Sequence, residues 1–159
     1  MAYTDLISLN EAKTYLRIDD TLTDDDNSIV RMINSAFSWI EKRTNVYVVQ
    51  INKTYDITDG YARIYDYPIN TDLSTLTDYE FTKKGLYYIV CDSTGETTEL
   101  TLDIGEIDPA NVDPELIQVA YEIIEFYYYQ SKDDRGKTID ESLSPMSKEF
   151  LMANKRFFI

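Results

Sequence analysis

The chain has 159 residues and carries 15 basic against 29 acidic side chains, for a formal net charge of −14. An acidic excess of this size argues against a protein that binds nucleic-acid phosphates through a basic face. The sequence has no histidine and one cysteine, which excludes histidine-based catalysis, disulfide frameworks and most zinc sites. No apolar stretch approaches the roughly 18 residues of a membrane-spanning helix, and the acidic residues 1–11 are unlike a secretory signal.

Two helices are predicted in the first part of the chain. The first, at about residues 8–19, begins at a capping box, in which Ser8 accepts a hydrogen bond from the third helical N–H and Glu11 reaches back to the cap. The second, at about residues 23–43 with Thr23 as its cap, carries apolar residues at a helical period. They are Ile29, Met32, Ile33, Ala36, Phe37 and Ile40.

Residues 46–104 are predicted to form a β-rich segment, because the period of the apolar residues changes from 3.6 to 2 after Asn45. Lys53 alone interrupts the apolar face of the first strand. The pair Asp59-Gly60 separates two alternating runs, which predicts a β-hairpin with a type I′ turn. Three further strands are predicted at Tyr79–Thr82, Leu86–Cys91 and Thr97–Ile104.

Two more helices follow the β-rich segment. Asp113-Pro114 provides a cap and a first helical residue for a helix at about 114–130. Its nearly all-apolar surface is typical of a helix that is central in a core or is packed between its own core and a partner. Residues 131–140 are predicted to be a loop, and a last helix is predicted at about 145–156. We therefore predict an α+β fold in a single domain, residues 1–159, with a mostly helical core of four helices and an antiparallel β-rich insertion between helices 2 and 3.

Carboxylates are numerous enough to raise the question of catalysis or metal binding. The densest cluster lacks the glycine and the ligand spacing of an EF-hand calcium loop, so helix capping and solvated charge explain it better. A second group could serve as a glycosidase pair, but nothing singles out two of its members. The first group is Asp19, Asp20, Asp24, Asp25 and Asp26, and the second is Glu99, Asp103, Glu106 and Asp108.

Cysteine and tyrosine also have structural explanations. Cys91 lies in a predicted strand, where a cysteine is more often a small buried hydrophobic residue than a nucleophile. The 14 tyrosines could stack on nucleic-acid bases, but the scattered lysines and arginines supply no positive groove, so we expect core and interface packing. The residues therefore predict no catalytic residue, no metal site and no cofactor.

The last residues of the sequence, Phe157-Phe158-Ile159, allow two interpretations. Three bulky apolar side chains would be unfavourable on the surface of a lone monomer. Either the last helix docks them on its own core, or they fill the pocket of a partner, and the sequence leaves both interpretations open.

The order of these elements resembles the head–tail connector family of tailed bacteriophages, also called the adaptor or head-completion family. The opening Leu6–Asp19 is similar to a family phrase that reads S-L-x-E-A-K-x-x-L-R-I-D, and Ile40–Thr44 resembles the family's exit from the second helix. Further similarities follow in the same order over most of the chain. They lie at Pro68-Ile69, Leu102–Gly105, Asp113–Ala120 and Tyr127–Lys132.

The resemblance implies a structural role without catalytic residues or cofactors. Such proteins form homo-oligomeric rings, commonly of twelve copies, that bridge the portal protein and further neck or tail proteins and extend the DNA channel. It implies a place in the virion neck, with assembly in the host cytoplasm and no membrane contact. Double-stranded DNA would pass through without sequence-specific binding, and an acidic lumen would repel its phosphates at short range.

Within such a ring we expect helices 2 and 3 to form the wall, the segment from about Ser144 to reach the portal, and the β segment to face the tail side. The residues expected to bind the portal are Phe150, Leu151, Phe157, Phe158 and Ile159. Those expected between subunits are Arg31, Ser35, Glu122, Tyr127 and Tyr129. The alternatives are a small cytosolic hydrolase and a different neck component, such as a stopper or tail terminator.

Overall fold

A computed structural model describes residues 2–95, 98–130 and 136–155. The fold is α+β with a β insertion between helices, as predicted. The helices are α1 (Leu9–Leu16), α2 (Asp26–Thr44), α3 (Pro114–Gln130), α4 (Ile139–Ser142) and α5 (Pro145–Ala153). The strands are β1 (Ile51–Asp56), β2 (Tyr61–Ile64), β3 (Tyr79–Lys84), β4 (Tyr87–Asp92) and β5 (Glu99–Ile104).

These elements form two compact units. Unit 1 holds the described residues up to Thr44 together with Asp108–Lys155, and unit 2 holds Asn45–Ile107. In the part of the chain that the structure describes, the five helices therefore lie in unit 1 and the five strands in unit 2. The assignment of residues 1–159 to a single domain stays a prediction.

The capping box predicted at the start of α1 is confirmed. The Glu11 N–H donates to Ser8 Oγ at 3.3 Å, and the Ser8 N–H donates to Glu11 Oε2 at 2.8 Å. Hydrogen bonds from the Ser8 side chain and then its backbone lower the pKa of the Glu11 carboxyl. The helix ends earlier than predicted, because Arg17 adopts a left-handed conformation with φ of 59° and closes the last turn.

Helix α2 begins at Asp26 rather than at the predicted cap Thr23. The residues before it form a turn, in which the Asp26 N–H donates to the Thr23 carbonyl at 3.2 Å, so Asp26 alone supplies a carboxylate to the first helical turn. The predicted apolar face is buried except for the partly buried Met32. Its fully buried members are Ile29, Ile33, Ala36, Phe37 and Ile40.

Helix α3 starts as predicted, with the Glu115 N–H donating to Asp113 Oδ1 at 2.9 Å. Its nearly all-apolar sequence buries one stripe, whereas its C-terminal aromatic residues remain partly or fully exposed. The buried stripe consists of Leu116, Val119, Ala120, Ile123 and Ile124.

The prediction of a loop over residues 131–140 is wrong at its end, because α4 begins at Ile139. Thr138 and Glu141 form a second capping box, with the Thr138 N–H donating to Glu141 Oε2 at 2.8 Å. Helix α5 ends at Ala153, before the predicted limit of residue 156.

Unit 2 contains two antiparallel sheets, β1-β5 and β2-β4-β3. The turn at Asp59-Gly60 forms with positive φ at both residues, 54° and 80°, as a type I′ turn requires. The predicted hairpin forms only at its tip, through a single antiparallel bridge between Thr58 and Tyr61. It does not continue, because β1 and β2 enter different sheets. Strand β1 instead pairs over its full length with β5, from Ile51 opposite Ile104 to Asp56 opposite Glu99.

The two sheets share a hydrophobic core in unit 2. Cys91 lies in β4 as predicted, but its side chain is exposed, so its predicted burial is wrong. The alternation in β4 explains the error, since the neighbouring Val90 takes the buried position. The buried core consists of Ile57, Ala62, Ile64, Val90, Leu100, Leu102 and Ile104.

Candidate interaction surfaces

A buried lysine organises the segment between α1 and α2. Lys13 is 1% exposed, although lysine is rarely buried without a partner. Its Nζ lies 2.5 Å from Asp26 Oδ1 and donates to the carbonyls of Leu22 at 2.7 Å and Asp20 at 3.3 Å. The ammonium group therefore joins α1, the connecting loop and the first turn of α2. Sequence reasoning missed this role, and the only signal was a lysine among the apolar residues of a short helix.

A surface groove runs along α2 in unit 1. One part has a volume of about 550 Å³ and a second part about 290 Å³, and they share Ser35 and Tyr127 as lining residues. The residues lining the first part are Tyr3, Asn34, Ser35, Ser38, Trp39, Lys42 and Tyr127. Those lining the second are Ser28, Arg31, Met32, Ser35 and Tyr127. We call the two parts together the α2 groove.

Three contacts hold the aromatic wall of the α2 groove. The Tyr3 ring stacks on Phe37 with centroids 5.3 Å apart, and its hydroxyl donates to Glu41 Oε2 at 2.6 Å. The Arg43 guanidinium lies 5.1 Å from the centre of the Trp39 ring, within the range of a cation–π interaction. Arg43 also donates to Asp140 Oδ1 and Oδ2 at 2.6 and 2.5 Å, so α2 and α4 are tied beside this wall.

The structure brings together three of the five residues predicted to lie between subunits. Arg31, Ser35 and Tyr127 line the α2 groove. Tyr129 lies elsewhere, with its hydroxyl donating to the Leu16 carbonyl at 3.1 Å and 43% of the residue exposed. Glu122 accepts hydrogen bonds from Ser144 and Ser147 within unit 1.

Glu122 holds the start of α5 in place. Its Oε2 accepts from the Ser144 N–H at 2.8 Å, and its Oε1 accepts from Ser144 Oγ and Ser147 Oγ, both at 2.9 Å. Ser144 is itself the N-cap of α5, with its Oγ accepting from the Ser147 N–H at 3.2 Å. A carboxylate at this end also interacts favourably with the helix dipole.

Replacing Glu122 by alanine should lower the free energy of unfolding by about 2 kcal/mol, because hydrogen bonds to a charged group are lost and Ser147 is left buried without this acceptor. Urea unfolding measures the change. Glu125→Ala is the matched control on the exposed side of the same helix, and its expected cost is below about 0.5 kcal/mol. Equal losses in the two variants would contradict the capping role of Glu122.

The residues predicted to bind the portal are placed in part. Leu151 is 5% exposed and packs in unit 1, so its side chain stabilises α5. Phe150 is partly buried, whereas Met146 and Met152 of the same helix are 60% and 75% exposed. Phe157, Phe158 and Ile159 lie outside the described residues.

Unit 2 contains a second charge pair, in which Asp66 is buried and Lys53 is partly exposed. Lys53, which interrupts the apolar face of β1, has its Nζ 2.9 Å from Asp66 Oδ2 and donates to the Tyr47 hydroxyl at 3.0 Å. The Tyr55 hydroxyl donates to the same Asp66 oxygen at 2.7 Å. Burial would lower the pKa of the Lys53 amine, but its hydrogen bonds to Tyr47 and Asp66 and the Asp66 charge raise it. Lys53 therefore fits the inward face of its strand as one member of an ion pair.

Residues 2–95, 98–130 and 136–155 contain no group of three histidine, cysteine or acidic side chains arranged to hold a metal ion. Within the same ranges, no helix has both the length and the apolar character needed to cross a bilayer.

The α2 groove is lined by tyrosine, tryptophan and arginine, which are residue types enriched at protein–protein interfaces. Residues 6–74 match the family model of phage gp6-like head-tail connector proteins. This match confirms the resemblance predicted from the sequence and supports a structural rather than an enzymatic role. No curated protein matches the sequence.

Two solved structures resemble the fold. A chain from the virion of a native gene transfer agent particle aligns with a TM-score of 0.64 and 14% identity, over 98% of this chain and 91% of that chain. A chain from the neck of an empty gene transfer agent particle, computed with C6 symmetry, aligns with a TM-score of 0.59 and 11% identity, over 100% of this chain and 94% of that chain. At these identities the likeness concerns the fold.

Proposed function

We propose that this protein is a ring-forming connector of a phage-type neck, which bridges the portal to further neck or tail proteins and extends the DNA channel. The observation that carries the proposal is the connector-family match over residues 6–74. The matched region contains α1, α2 and most of the α2 groove. The fold likeness to a neck chain in a particle computed with C6 symmetry is consistent with a ring, and a ring of twelve copies is compatible with that symmetry.

The charge of the chain supports a passive channel. At −14 per copy, a ring whose lumen carries part of this charge repels DNA phosphates within the screening distance of about 8–10 Å. DNA would then pass without adhering to the wall. Neck location in the virion and assembly in the host cytoplasm follow from the same proposal.

The proposal is tested by native mass spectrometry and electron microscopy of the full chain, alone and mixed with the portal protein of the same phage. We expect a closed ring of defined symmetry that binds the portal. A chain that stays monomeric or dimeric with the portal present would contradict the connector role.

The portal contact is tested separately with a Phe157→Ser, Phe158→Ser, Ile159→Ser triple variant. If these residues bind the portal, the variant keeps its fold and its self-assembly but loses portal binding in a pull-down. Met146→Ser, Met152→Ser is the matched control, since both methionines are exposed on α5. Unchanged portal binding by the triple variant would contradict the assignment.

A further inference from the structure

We propose that the acidic loop between α1 and α2 of one copy, residues 18–25, docks into the α2 groove of the next copy, with Leu22 as its apolar anchor. This inference rests on the proposed ring and names the contact that builds it. In a ring each subunit presents two different faces to its neighbours. The loop and the groove are two different surfaces of unit 1 that could serve in this way.

The α2 groove is suited to an acidic apolar segment. Its wall is aromatic, formed by Tyr3, Trp39 and Tyr127. Arg31 and Lys42 are its charged residues, both exposed, and no acidic residue occurs among the described residues that line it. The lining of the groove therefore carries positive charge, whereas the whole chain has 29 acidic and 15 basic side chains.

The loop has the complementary character. Leu22 is 59% exposed, the largest exposed fraction of any leucine among the large hydrophobic residues found on the described surface. Four exposed carboxylates surround it, and within the described part of the chain none of them forms an ion pair. They are Asp19, Asp20, Asp24 and Asp25.

The loop is also held in a defined shape, which reduces the entropy lost on docking. The buried Lys13 ammonium binds the carbonyls of Asp20 and Leu22. Asp19 Oδ1 accepts from the Thr21 N–H at 2.9 Å and from its hydroxyl at 2.6 Å. These hydrogen bonds fix the backbone of the loop in the conformation that exposes the Leu22 side chain.

Charge complementarity selects a second copy of this chain as the occupant. A leucine flanked by carboxylates satisfies both an aromatic wall and the two cations Arg31 and Lys42. A contact between the loop of one copy and the groove of the next joins two different surfaces, so it is heterologous and can propagate head to tail.

The test is cross-linking of the full chain with a short bismaleimide, in a Cys91→Ser background because Cys91 is exposed. Leu22→Cys protein mixed with Ser35→Cys protein should form a mixed covalent dimer at least about tenfold faster than either alone. Leu86→Cys replaces Leu22→Cys in the control, since Leu86 is 50% exposed and lies in unit 2. A chain that carries both Leu22→Cys and Ser35→Cys should give a ladder of covalent oligomers.

The outcomes separate this inference from the proposed function. A ladder supports both. Mixed dimers of the two single-cysteine proteins, with no product above a dimer from the chain that carries both cysteines, support the contact between loop and groove but contradict the ring. Rings seen by mass measurement without Leu22–Ser35 cross-links contradict the inference and leave the ring intact, and the absence of both rings and cross-links contradicts both.

Charge reversal provides a second readout. Arg31→Glu, Lys42→Glu protein should lose cross-linking to wild-type loops by about tenfold, and Asp20→Lys, Asp24→Lys in the partner should restore it. Lys83→Glu, Lys84→Glu in β3 changes the net charge equally at exposed positions of unit 2 and should leave cross-linking unchanged. Equal losses in the two charge-reversed proteins would overturn the contact.

Discussion

Replacing Asp26 by alanine should lower the free energy of unfolding by about 3 kcal/mol, because it leaves the ammonium group of Lys13 buried without its counter-charge. The two carbonyls that also accept from Lys13 are neutral and cannot replace the carboxylate. Urea unfolding of unit 1, followed by helical circular dichroism, measures the loss.

The control for this prediction is Asp24→Ala, which removes an exposed carboxylate close to Asp26 and should change stability by less than about 0.5 kcal/mol. The double variant Lys13→Met, Asp26→Leu should recover most of the loss, because an apolar pair avoids the cost of burying charge. Equal effects of the Asp24 and Asp26 substitutions would show that Lys13 is not neutralised by Asp26.

Gly105→Ala should destabilise unit 2 by about 3 kcal/mol, because backbone strain and a direct clash add. Gly105 has φ of 99°, and a Cβ atom there would overlap the carbonyl oxygen of Val49. The neighbouring backbone would have to move, although the Gly105 N–H is bonded to the Pro68 carbonyl at 2.8 Å. Urea unfolding followed by tyrosine fluorescence measures the change.

Gly85→Ala is the matched control for this substitution. Gly85 has φ of 60°, and a Cβ atom added there would meet nothing within 4 Å, so only the left-handed backbone penalty of about 1 kcal/mol applies. A Gly105→Ala loss no larger than that of Gly85→Ala would mean that the segment around Val49 relaxes to admit the methyl group.

Local signals in the sequence were reliable where a few neighbouring residues carry the structure. Ser8 and Glu11 specify the start of α1, and Asp113 that of α3, since each cap is a bond between residues close in sequence. The positive φ values at Asp59-Gly60 followed from residue type in the same way. The helical repeat in α2 likewise predicted which side chains are buried.

These local signals did not predict which residues far apart in the chain contact each other. The turn at Asp59-Gly60 formed, yet β1 paired with β5 across a long stretch of chain, because Leu100, Leu102 and Ile104 complete the core of unit 2 there. No local pattern predicts the ion pair between Lys13 and Asp26. Glu122 was expected to contact a neighbouring subunit, but its carboxylate accepts hydrogen bonds from Ser144 and Ser147 of the same chain.

By itself the sequence determined the acidic charge, the helix caps, the α+β order of elements and the resemblance to connectors, because composition and short-range patterns carry these properties. Only the tertiary structure decided which residues share a surface. Arg31, Ser35 and Tyr127 line the α2 groove together because α2 packs against α3. The backbone of Leu22 is held in place by the hydrogen bond from Lys13 to its carbonyl. Both depend on contacts between residues far apart in the chain, and no local pattern encodes them.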